Sequence, residues 1–366
     1  MENKFHLNKH LKRAIRKSLF SPVPSLFQLK QAFTFYSNYK QSEKRRQLNQ
    51  IKFNSVIPPV CIFSVTWDCN LKCKGCYALN YEKQNVLTTD EIISAIKHVL
   101  DCGTYMFIIA GGEPLTIKEL IPELGKISKG IFMLFTNGLL LDAEKIVLLR
   151  NFPNILPVIS LEGEDSTTDQ RRGINVSAKL KEAFSMLNKL RIPFGISSMA
   201  THKNLSQIVS KNYFEAVKKS GAVFLYIIDY IPFEFSLNES FVLTREDHDF
   251  KKDEIAKRMK DSGLTVYNFP ADEYSDGYCE SAGKGFLHIN ANGYVEPCPF
   301  SHYATDNIRD KNYIQIINSP FFKEIREKFS CIKSNSCDCL LHEHDLTMQE
   351  IAKMHQAFST EKIKSS

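Results

Sequence analysis

The chain has 366 residues, enough for one barrel-sized domain with a smaller attachment. Hydrophobic residues make up 43% of the chain and charged residues 24%, which excludes a wholly disordered or fibrous protein. The net charge of +6 is uneven, because residues 1–50 carry eleven Lys or Arg against two acids. This basic N-terminal segment could bind anionic lipid, nucleic acid or an acidic partner. The simpler explanation is that its charges lie on a solvated helical face.

The sequence predicts neither a membrane span nor a secretory signal. No run of eighteen uncharged apolar residues occurs, and the N-terminus lacks an apolar core followed by a small-residue cleavage site. The ten cysteines are clustered, which favours metal or redox chemistry in a reducing compartment over a framework of disulfides. These features predict a cytoplasmic protein.

The first 57 residues predict a basic amphipathic helical segment. Apolar residues recur among lysines and arginines over 4–20, and the Pro-containing stretch 21–24 should end this helix. A second helix is predicted over 26–52, and its aromatic anchors are Phe27, Phe33, Phe35 and Tyr36. These aromatic rings either contact the inner face of a membrane or pack against the main domain, and packing is the more common role of an amphipathic helix.

From residue 60 onward, apolar runs alternate with helical stretches. The strand-like runs, several of them apolar throughout as in buried parallel strands, are 61–67, 105–110, 131–135, 156–161, 194–200 and 223–230. The predicted helices are 89–100, 116–129, 142–150, 177–190, 205–219 and 244–261. Parallel strands need long and usually helical crossovers, so the six repeats predict an α/β fold, a partial (β/α)6 barrel of TIM type. The reactive site is expected at the carboxyl ends of its strands.

A smaller cysteine-rich unit follows the barrel. It contains five of the ten cysteines, and Asn292-Gly293 between the short apolar runs 286–290 and 294–296 predicts a hairpin. The sequence therefore divides into an N-terminal helical segment, the barrel, a connecting helix and linker, the cysteine-rich extension and a tail, with predicted bounds 1–57, 58–240, 241–278, 279–344 and 345–366.

Three cysteines with the spacing Cys-x3-Cys-x2-Cys, namely Cys69, Cys73 and Cys76, directly follow the first predicted strand. Chance is a poor explanation for this spacing in a chain with ten cysteines. Three thiolates can hold an iron–sulfur cube with one iron left open, and Gly75 lets the backbone approach the inorganic sulfurs. An open iron distinguishes a catalytic cluster from an electron-transfer cluster. The alternative is structural zinc, with Cys61 or a distant histidine as fourth ligand.

This cysteine loop, with Tyr77 after its last cysteine, resembles the signature of the radical S-adenosylmethionine (SAM) superfamily. The resemblance implies that the open iron of a 4Fe-4S cluster binds the amine and carboxylate of SAM. It also implies that one electron splits SAM into methionine and a 5′-deoxyadenosyl radical, which abstracts hydrogen from a peptide, protein or small-molecule substrate. The cofactor supplies this chemistry, whereas the protein positions the substrate and excludes water. An external electron donor such as a ferredoxin or flavodoxin is the implied partner.

Further motifs after the predicted strands resemble the SAM-binding segments of that superfamily. The cofactor-binding residues implied by the resemblance are Gly111, Gly112, Glu113, Pro114, Asn137, Ser160, Glu162 and Arg172. In the GGEP segment the glycines permit close backbone approach and the carboxylate can accept from the methionine ammonium. Arg172 suits the SAM carboxylate because a guanidinium donates two parallel hydrogen bonds, although a surface charge is the alternative. Glu162 stands where Asp is usual.

The C-terminal cysteines resemble the SPASM/Twitch extension of radical SAM enzymes, which holds auxiliary iron–sulfur clusters. The predicted hairpin would bring Cys279 and Cys298 to one site. Five cysteines cannot complete two four-thiolate clusters, so one auxiliary cluster is implied. Its candidate ligands, in order of preference, are Cys279, Cys298, Cys339, Cys337 and Cys331. Zinc is the alternative here, because four thiolates suit it equally well.

Three functions follow from these patterns. The first is a SAM-dependent oxidoreductase or bond-forming enzyme with one catalytic and one auxiliary cluster. The second is the same chemistry on a membrane lipid or lipid-linked substrate, based on the basic segment 1–57. The third is a non-catalytic zinc or nucleic-acid-binding protein. Evidence against this third function is that aromatic residues are not interleaved with basic ones around the cysteine loop. We expect the first function and no specific nucleic-acid partner.

Overall fold

One sheet of nine strands forms the body of the protein in the computed structural model, which describes residues 25–232, 238–270, 279, 282–332 and 339–361. The strands are β1 (Val60–Thr66), β2 (Met106–Gly111), β3 (Ile131–Thr136), β4 (Ile155–Ser160), β5 (Gly195–Ala200), β6 (Phe224–Asp229), β7 (Thr265–Phe269), β8 (Phe286–Ile289) and β9 (Val295–Glu296). Their order across the sheet is β7-β6-β5-β4-β3-β2-β1-β8-β9. Every neighbouring pair is parallel except β8 and β9.

Helices connect successive strands and flank the sheet. They are α1 (Leu26–Phe53), α2 (Thr89–Cys102), α3 (Leu120–Lys126), α4 (Ala143–Asn151), α5 (Asp165–Arg172), α6 (Val176–Lys189), α7 (Leu205–Ile208), α8 (Lys211–Lys219), α9 (Arg245–Ser262), α10 (Tyr313–Ile317), α11 (Pro320–Lys328), α12 (Leu340–Glu343) and α13 (Asp345–Met354). Two short strands, β10 (Tyr303–Ala304) and β11 (Phe358–Ser359), pair separately and antiparallel. The predicted α/β class with strand–helix repeats is confirmed.

Local sequence signals place the strands and the first crossover helix. All seven residues of β1 are buried, which explains why this strand is apolar almost throughout, since both of its faces are covered. A capping box, visible in the sequence as Thr88-x-x-Glu91, starts α2, with Thr88 and Glu91 side chains each accepting from the other's backbone N–H. Gly103 follows the last residue of α2 as its C-cap, with a φ of 126° that favours glycine.

The sheet extends beyond the six predicted strands at both sides. The stretch 241–278, expected to be a connecting helix and linker, contains helix α9 and a seventh parallel strand, β7, which pairs with β6. Strand β8 pairs in parallel with β1, so that Val60 lies beside Phe286. Strand β8 falls on the predicted run 286–290, and its antiparallel pairing with β9 confirms the predicted hairpin. Strand β7 and the pairing of β8 with β1 were not predicted, because the partner of each strand in the sheet is distant in sequence.

Helix bounds differ from prediction where capping or polarity decides them. The predicted helix 205–219 is divided into α7 and α8 because the Ser210 hydroxyl accepts from Tyr213 N–H and starts a new helix. Helix α5 was not predicted as a helix at all. Its only buried side chain is Thr168, so it lacks the apolar periodicity by which amphipathic helices are recognised.

Helix α1 crosses the amino-terminal ends of the strands, opposite to the expected reactive end. Gln31 Nε2 donates to the carbonyl of Ile155 at the start of β4, at 3.1 Å, and Tyr39 packs edge-on against Tyr105, which precedes β2. Of the four predicted aromatic anchors, Phe27 and Phe35 are buried, whereas Phe33 and Tyr36 are 72% and 49% exposed. The predicted helix over 4–20 lies outside the described residues. Within the described ranges, no helix is both long and apolar enough for a bilayer span.

A buried ion pair joins strand β6 to helix α9. Lys251 Nζ lies 2.5 Å from each carboxylate oxygen of Asp229, and the two side chains are each 1% exposed. His248 Nδ1 lies 3.7 Å from the same carboxylate. Removing both charges from water is costly, so each ion depends on its partner, and loss of one partner leaves an uncompensated buried charge.

We expect Lys251→Met to lower the free energy of unfolding by about 3–5 kcal/mol, because the Asp229 carboxylate then stays buried without its ammonium. The matched control is Lys181→Met, whose partner Asp165 is 57% exposed, and this change should cost less than about 1 kcal/mol. Urea unfolding measures both. Equal stability of the two variants would show that Lys251 does not compensate the buried Asp229 carboxylate.

Candidate active site

A cavity of about 260 Å³ lies inside the barrel at the carboxyl ends of the strands. The predicted site residues that line it are Cys69, Cys73, Cys76, Gly111, Gly112, Asn137, Ser160 and Arg172. Glu113 and Glu162, both 0% exposed, and the buried Pro114 lie behind this wall. Segments that follow four different strands thus meet at one rim, as the carboxyl ends of parallel strands do.

The three thiols of the cysteine loop face the cavity from one side. Cys69 Sγ accepts from Leu71 N–H at 3.4 Å and from Asn137 Nδ2 at 3.7 Å. Burial raises the pKa of the Cys69 thiol. Burial also raises the pKa of the Cys76 thiol, and the nearby Arg171 guanidinium lowers it in part.

Gly75 occupies a left-handed conformation in the turn between the second and third cysteines, with φ of 69°. A Cβ atom at this position would lie 3.0 Å from the Tyr230 ring and 3.1 Å from the Phe241 ring. The loop is also tied to helix α5, because Lys74 N–H donates to the carbonyl of Arg171. Glycine is therefore required here by the backbone turn and by two aromatic neighbours from the segment after β6.

The GGEP segment packs directly on the start of the cysteine loop. Gly112 N–H donates to the Thr66 carbonyl at 2.7 Å, and Glu113 N–H donates to the Asp68 carbonyl at 2.8 Å. A Cβ atom on Gly112 would lie 2.3 Å from the Asp68 carbonyl oxygen. The close approach that this glycine permits is therefore an approach to the chain that carries the cysteines.

The Glu113 carboxylate joins the GGEP segment to the turn after β3. Its oxygens accept from Leu115 N–H at 3.0 Å, from the Thr136 hydroxyl at 2.8 Å and from Asn137 N–H at 2.7 Å. Burial raises its pKa, and these hydrogen bonds oppose that change. Asn137 in turn donates to Asn70 Oδ1 at 2.7 Å. This carboxylate fixes the rim of the cavity from behind.

Glu162 binds both arginines of helix α5. Its Oε1 lies 2.5 Å from Arg171 Nη1 and 2.7 Å from Arg172 Nε, and its Oε2 accepts from Met199 N–H at 3.1 Å. Although burial alone would raise the pKa of Glu162, the two guanidinium groups lower it below its ordinary value. Both arginine side chains are 12% exposed, so neither is a surface charge.

Arg171 keeps one donor without a partner. Its Nη1 binds Glu162 and its Nη2 lies 3.1 Å from Met199 Sδ, whereas its buried Nε has no hydrogen-bond partner among the residues that the structure describes. Arg171 lines the cavity. A buried N–H without a partner is costly, so it marks a position where a bound acceptor would restore the hydrogen bond. The family resemblance implied Arg172 instead, since only tertiary contacts reveal that Glu162 already binds the Arg172 Nε.

Aromatic side chains form the wall away from the cysteines. The Phe269 ring lies 5.4 Å from that of Phe286 and 5.3 Å from that of Phe300, and Phe135 meets Tyr226 edge-on at 5.6 Å. All five rings line the cavity. Tyr226 on the sixth predicted strand was a candidate for the cavity, whereas no motif marks the other four rings. The alternation of side chains along a buried strand could have assigned Phe269 to an inner face.

The C-terminal cysteines differ in burial. Cys279, Cys298 and Cys339 are 4%, 3% and 3% exposed and belong to the hydrophobic core. Cys331 is exposed, and Cys337 lies outside the described residues. Pro299 and Phe300, which directly follow Cys298, line the barrel cavity. The cysteine-rich unit therefore borders the same cavity as the cysteine loop.

Two family models match this chain. The radical SAM superfamily matches residues 63–209, and an iron–sulfur cluster-binding domain of the SPASM type matches residues 279–340. The chain belongs to the radical SAM superfamily. It is therefore an enzyme, with SAM, a 4Fe-4S cluster and auxiliary iron–sulfur chemistry as its cofactors, and the non-catalytic zinc or nucleic-acid-binding alternative is removed.

Similar proteins act on different substrates. The AdoMet-dependent heme synthase of Methanosarcina barkeri is 26% identical over 300 residues, covering 74% of this chain and 85% of that protein. The sporulation killing factor maturation protein SkfB of Bacillus subtilis is 25% identical over 334 residues, covering 82% and 74%. Streptococcus suis SuiB, solved with its precursor peptide SuiA, shares the fold with a TM-score of 0.64 at 16% identity, covering 88% of this chain and 79% of that chain.

The described residues fit the cofactors of the family in their donor chemistry. Three cysteines line one cavity together with Arg171, whose buried Nε has no hydrogen-bond partner among the described residues. In the same described ranges, no three His, Cys, Asp or Glu side chains are gathered closely enough to hold a single metal ion. A cube binds each thiolate through a different iron, so its ligands stand farther apart than those of one zinc ion.

We expect Glu113→Gln to lower the free energy of unfolding by about 1–3 kcal/mol, since the amide nitrogen of Gln cannot accept from the backbone N–H groups that Glu113 now binds. Glu119→Gln is the matched control, because Glu119 caps α3 without a side-chain hydrogen bond. Chemical denaturation followed by circular dichroism compares the two. A Glu113→Gln variant as stable as the control would show that the carboxylate does not fix the rim.

Proposed function

We propose that this enzyme cleaves SAM reductively at a 4Fe-4S cluster held by Cys69, Cys73 and Cys76, and that it abstracts hydrogen from a substrate group inside the barrel. The observation that carries the proposal is that these three cysteines line one cavity with Arg171, whose buried Nε has no partner among the described residues. When bound, the cluster and SAM supply the electron transfer and the 5′-deoxyadenosyl radical. The chain itself binds, orients and excludes water.

We assign the SAM carboxylate to Arg171, with Glu162 and Arg172 as positioning residues. The Arg172 Nε is already bound by Glu162 at 2.7 Å, whereas the Arg171 Nε is buried and lacks a partner among the described residues. A carboxylate would accept this charge-assisted hydrogen bond. Asn137 Nδ2, 3.7 Å from Cys69 Sγ, would orient the first thiolate. Gly111, Gly112 and Ser160 stay as proposed cofactor contacts because they line the cavity.

The auxiliary cluster is proposed to bind Cys279, Cys298 and Cys339. Their burial supports this set, since protein surrounding the sulfurs tunes the potential of a cluster. The fourth ligand is proposed to be Cys337, because Cys331 is exposed. The position of Pro299 and Phe300 on the cavity wall would bring such a cluster close to the reacting substrate. Electrons are proposed to arrive from an external ferredoxin or flavodoxin.

We propose a peptide as the substrate class. Similarity to SkfB, which covers 82% of this chain, and to the fold of peptide-bound SuiB supports this choice. The cavity wall includes five aromatic rings among aliphatic side chains, and this apolar wall suits an inserted side chain. A heme precursor, the alternative raised by the heme synthases, carries several carboxylates, whereas both cavity arginines already bind Glu162.

We expect Cys73→Ala to abolish 5′-deoxyadenosine formation from SAM and dithionite, because two thiolates cannot hold the catalytic cluster. The fold should be retained, since the loop lies at the rim of the sheet. Cys102→Ala, a buried cysteine on α2, is the matched control and should keep full activity. Anaerobic reconstitution followed by chromatography of the products measures both. Product formation by Cys73→Ala would refute the ligand assignment.

We propose that the outer face of α1 attaches the enzyme to anionic membrane surfaces. Residues spaced three or four apart form one exposed stripe along this helix, namely Leu26, Leu29, Phe33, Tyr36, Lys40, Lys44, Leu48 and Ile51. The combination of exposed apolar rings with lysines is typical of an interfacial helix. The eleven basic residues among the first 50 add attraction to anionic lipid.

We expect Phe33→Asp to reduce co-sedimentation with vesicles that contain phosphatidylserine, because a carboxylate in the stripe opposes both apolar insertion and anionic lipid. The charge-matched control is Phe250→Asp, a 46% exposed position on α9, which should bind like the wild type. Vesicles of phosphatidylcholine alone should bind neither protein. Undiminished binding by Phe33→Asp would remove the basis for attachment through α1.

A further inference from the structure

The side chain of Asn292 closes the base of the cysteine loop. Its Oδ1 accepts from the indole N–H of Trp67 at 2.7 Å, two residues before the first cysteine. Its Nδ2 donates to the carbonyl of Gln84 at 2.5 Å and to that of Glu82 at 3.3 Å, beyond the last cysteine. One amide thus uses its acceptor and both donors to join the two ends of the segment that carries all three cysteines.

Packing reinforces this closure. Trp67 stacks on Tyr81 with ring centroids 4.0 Å apart. With Ala78 and Ala291 these rings form a small buried cluster separate from the main core, and Cys76 packs against it. The neighbouring Ala291 carbonyl accepts from Leu87 N–H at 2.7 Å. Removal of the amide would therefore loosen a cluster that touches the third cysteine.

Arg309 holds the same segment from outside. Its guanidinium binds both carboxylate oxygens of Glu91, at 2.6 and 3.0 Å, and lowers the Glu91 pKa to about 2. It also donates to the carbonyls of Asn85 and Asn292, each at 3.1 Å. The cysteine loop is consequently held between the barrel and the C-terminal hairpin, which we define as residues 286–296.

The hairpin itself is fixed to the first strand by polar contacts. His288 Nε2 lies 2.8 Å from the Ser64 hydroxyl on β1, and His288 Nδ1 lies 2.6 Å from Glu296. The Tyr81 hydroxyl donates to Glu296 at 3.2 Å. These groups are buried, so the hydrogen bonds fix the register of the hairpin beside the loop. Cys298 follows two residues after Glu296, on the same piece of chain.

We infer that Asn292 is a positioning residue of the catalytic cluster, through which the SPASM-type unit holds the cysteine loop of the barrel in its ligating shape. The inference rests on the proposed function, since it takes Cys69, Cys73 and Cys76 as the ligands. The C-terminal unit then has a role beyond its own cluster. Ligand geometry depends on groups that touch the ligands from behind, and loss of such support commonly weakens a metal site.

The test is Asn292→Ala, with Asn154→Ala as matched control. Asn154 is also buried and its Nδ2 also donates to two backbone carbonyls, those of Leu124 and Ile127, but it lies at the amino-terminal end of the barrel. Two measurements apply to each full-length protein. Hydrogen exchange of residues 74–87 in metal-free protein measures how well the cysteine loop is protected. Electron paramagnetic resonance of the reduced, reconstituted protein distinguishes two cluster signals, one that changes when SAM is added and one that does not.

In Asn292→Ala we expect faster exchange over 74–87, a weaker SAM-sensitive signal, and about 10-fold slower 5′-deoxyadenosine formation. The SAM-insensitive signal should keep its amplitude, and Asn154→Ala should match the wild type. Unchanged exchange and an unchanged SAM-sensitive signal would overturn the inference, as would equal losses of both signals or equal effects in the control. Absence of any SAM-sensitive signal in the wild type would instead reject the proposed function.

Discussion

The parallel pairing of β1 with both β2 and β8 is the constraint on which the site depends. Strand β1 leads directly into the cysteine loop. The segments that follow β2 and β8, its two parallel partners, therefore lie beside that loop. From β2 comes the GGEP segment, and from β8 comes the hairpin with Asn292. Carboxyl ends of parallel strands share one edge, and this rule brings segments more than 200 residues apart to one rim.

Two buried carboxylates organise that rim without facing the cavity. Glu113 accepts from backbone and side-chain donors of two successive strand–helix units, and Glu162 holds the two arginines of α5. A buried carboxylate must be hydrogen-bonded or paired, and each of these satisfies that need by joining separate segments. The arrangement leaves the thiols of the cysteine loop and the Arg171 Nε free of the two carboxylates.

Much of the fold was predictable because its signals are local. Apolar runs of strand length, the capping box of Thr88 and Glu91, and the spacing of three cysteines all lie within short stretches of chain. The hairpin of β8 and β9 was predicted from its Asn292-Gly293 turn. Strand β7, the pairing of β8 with β1 and the polar helix α5 were not predicted, since their evidence is a distant neighbour and not a periodic pattern. The roles expected for Glu113 and Glu162 came from resemblance, and contacts decided where their carboxylates lie.

The sequence by itself determined the chemistry of this enzyme: cysteine spacing after a buried strand indicates a cluster with an open iron, and strand–helix alternation indicates the barrel that surrounds it. Tertiary structure alone decided which arginine retains a buried donor, which aromatic rings line the cavity and which distant amide closes the cysteine loop. The physical reason is that ligand type depends on residue identity and spacing. The availability of a donor, in contrast, depends on every neighbour that folding brings within hydrogen-bonding distance.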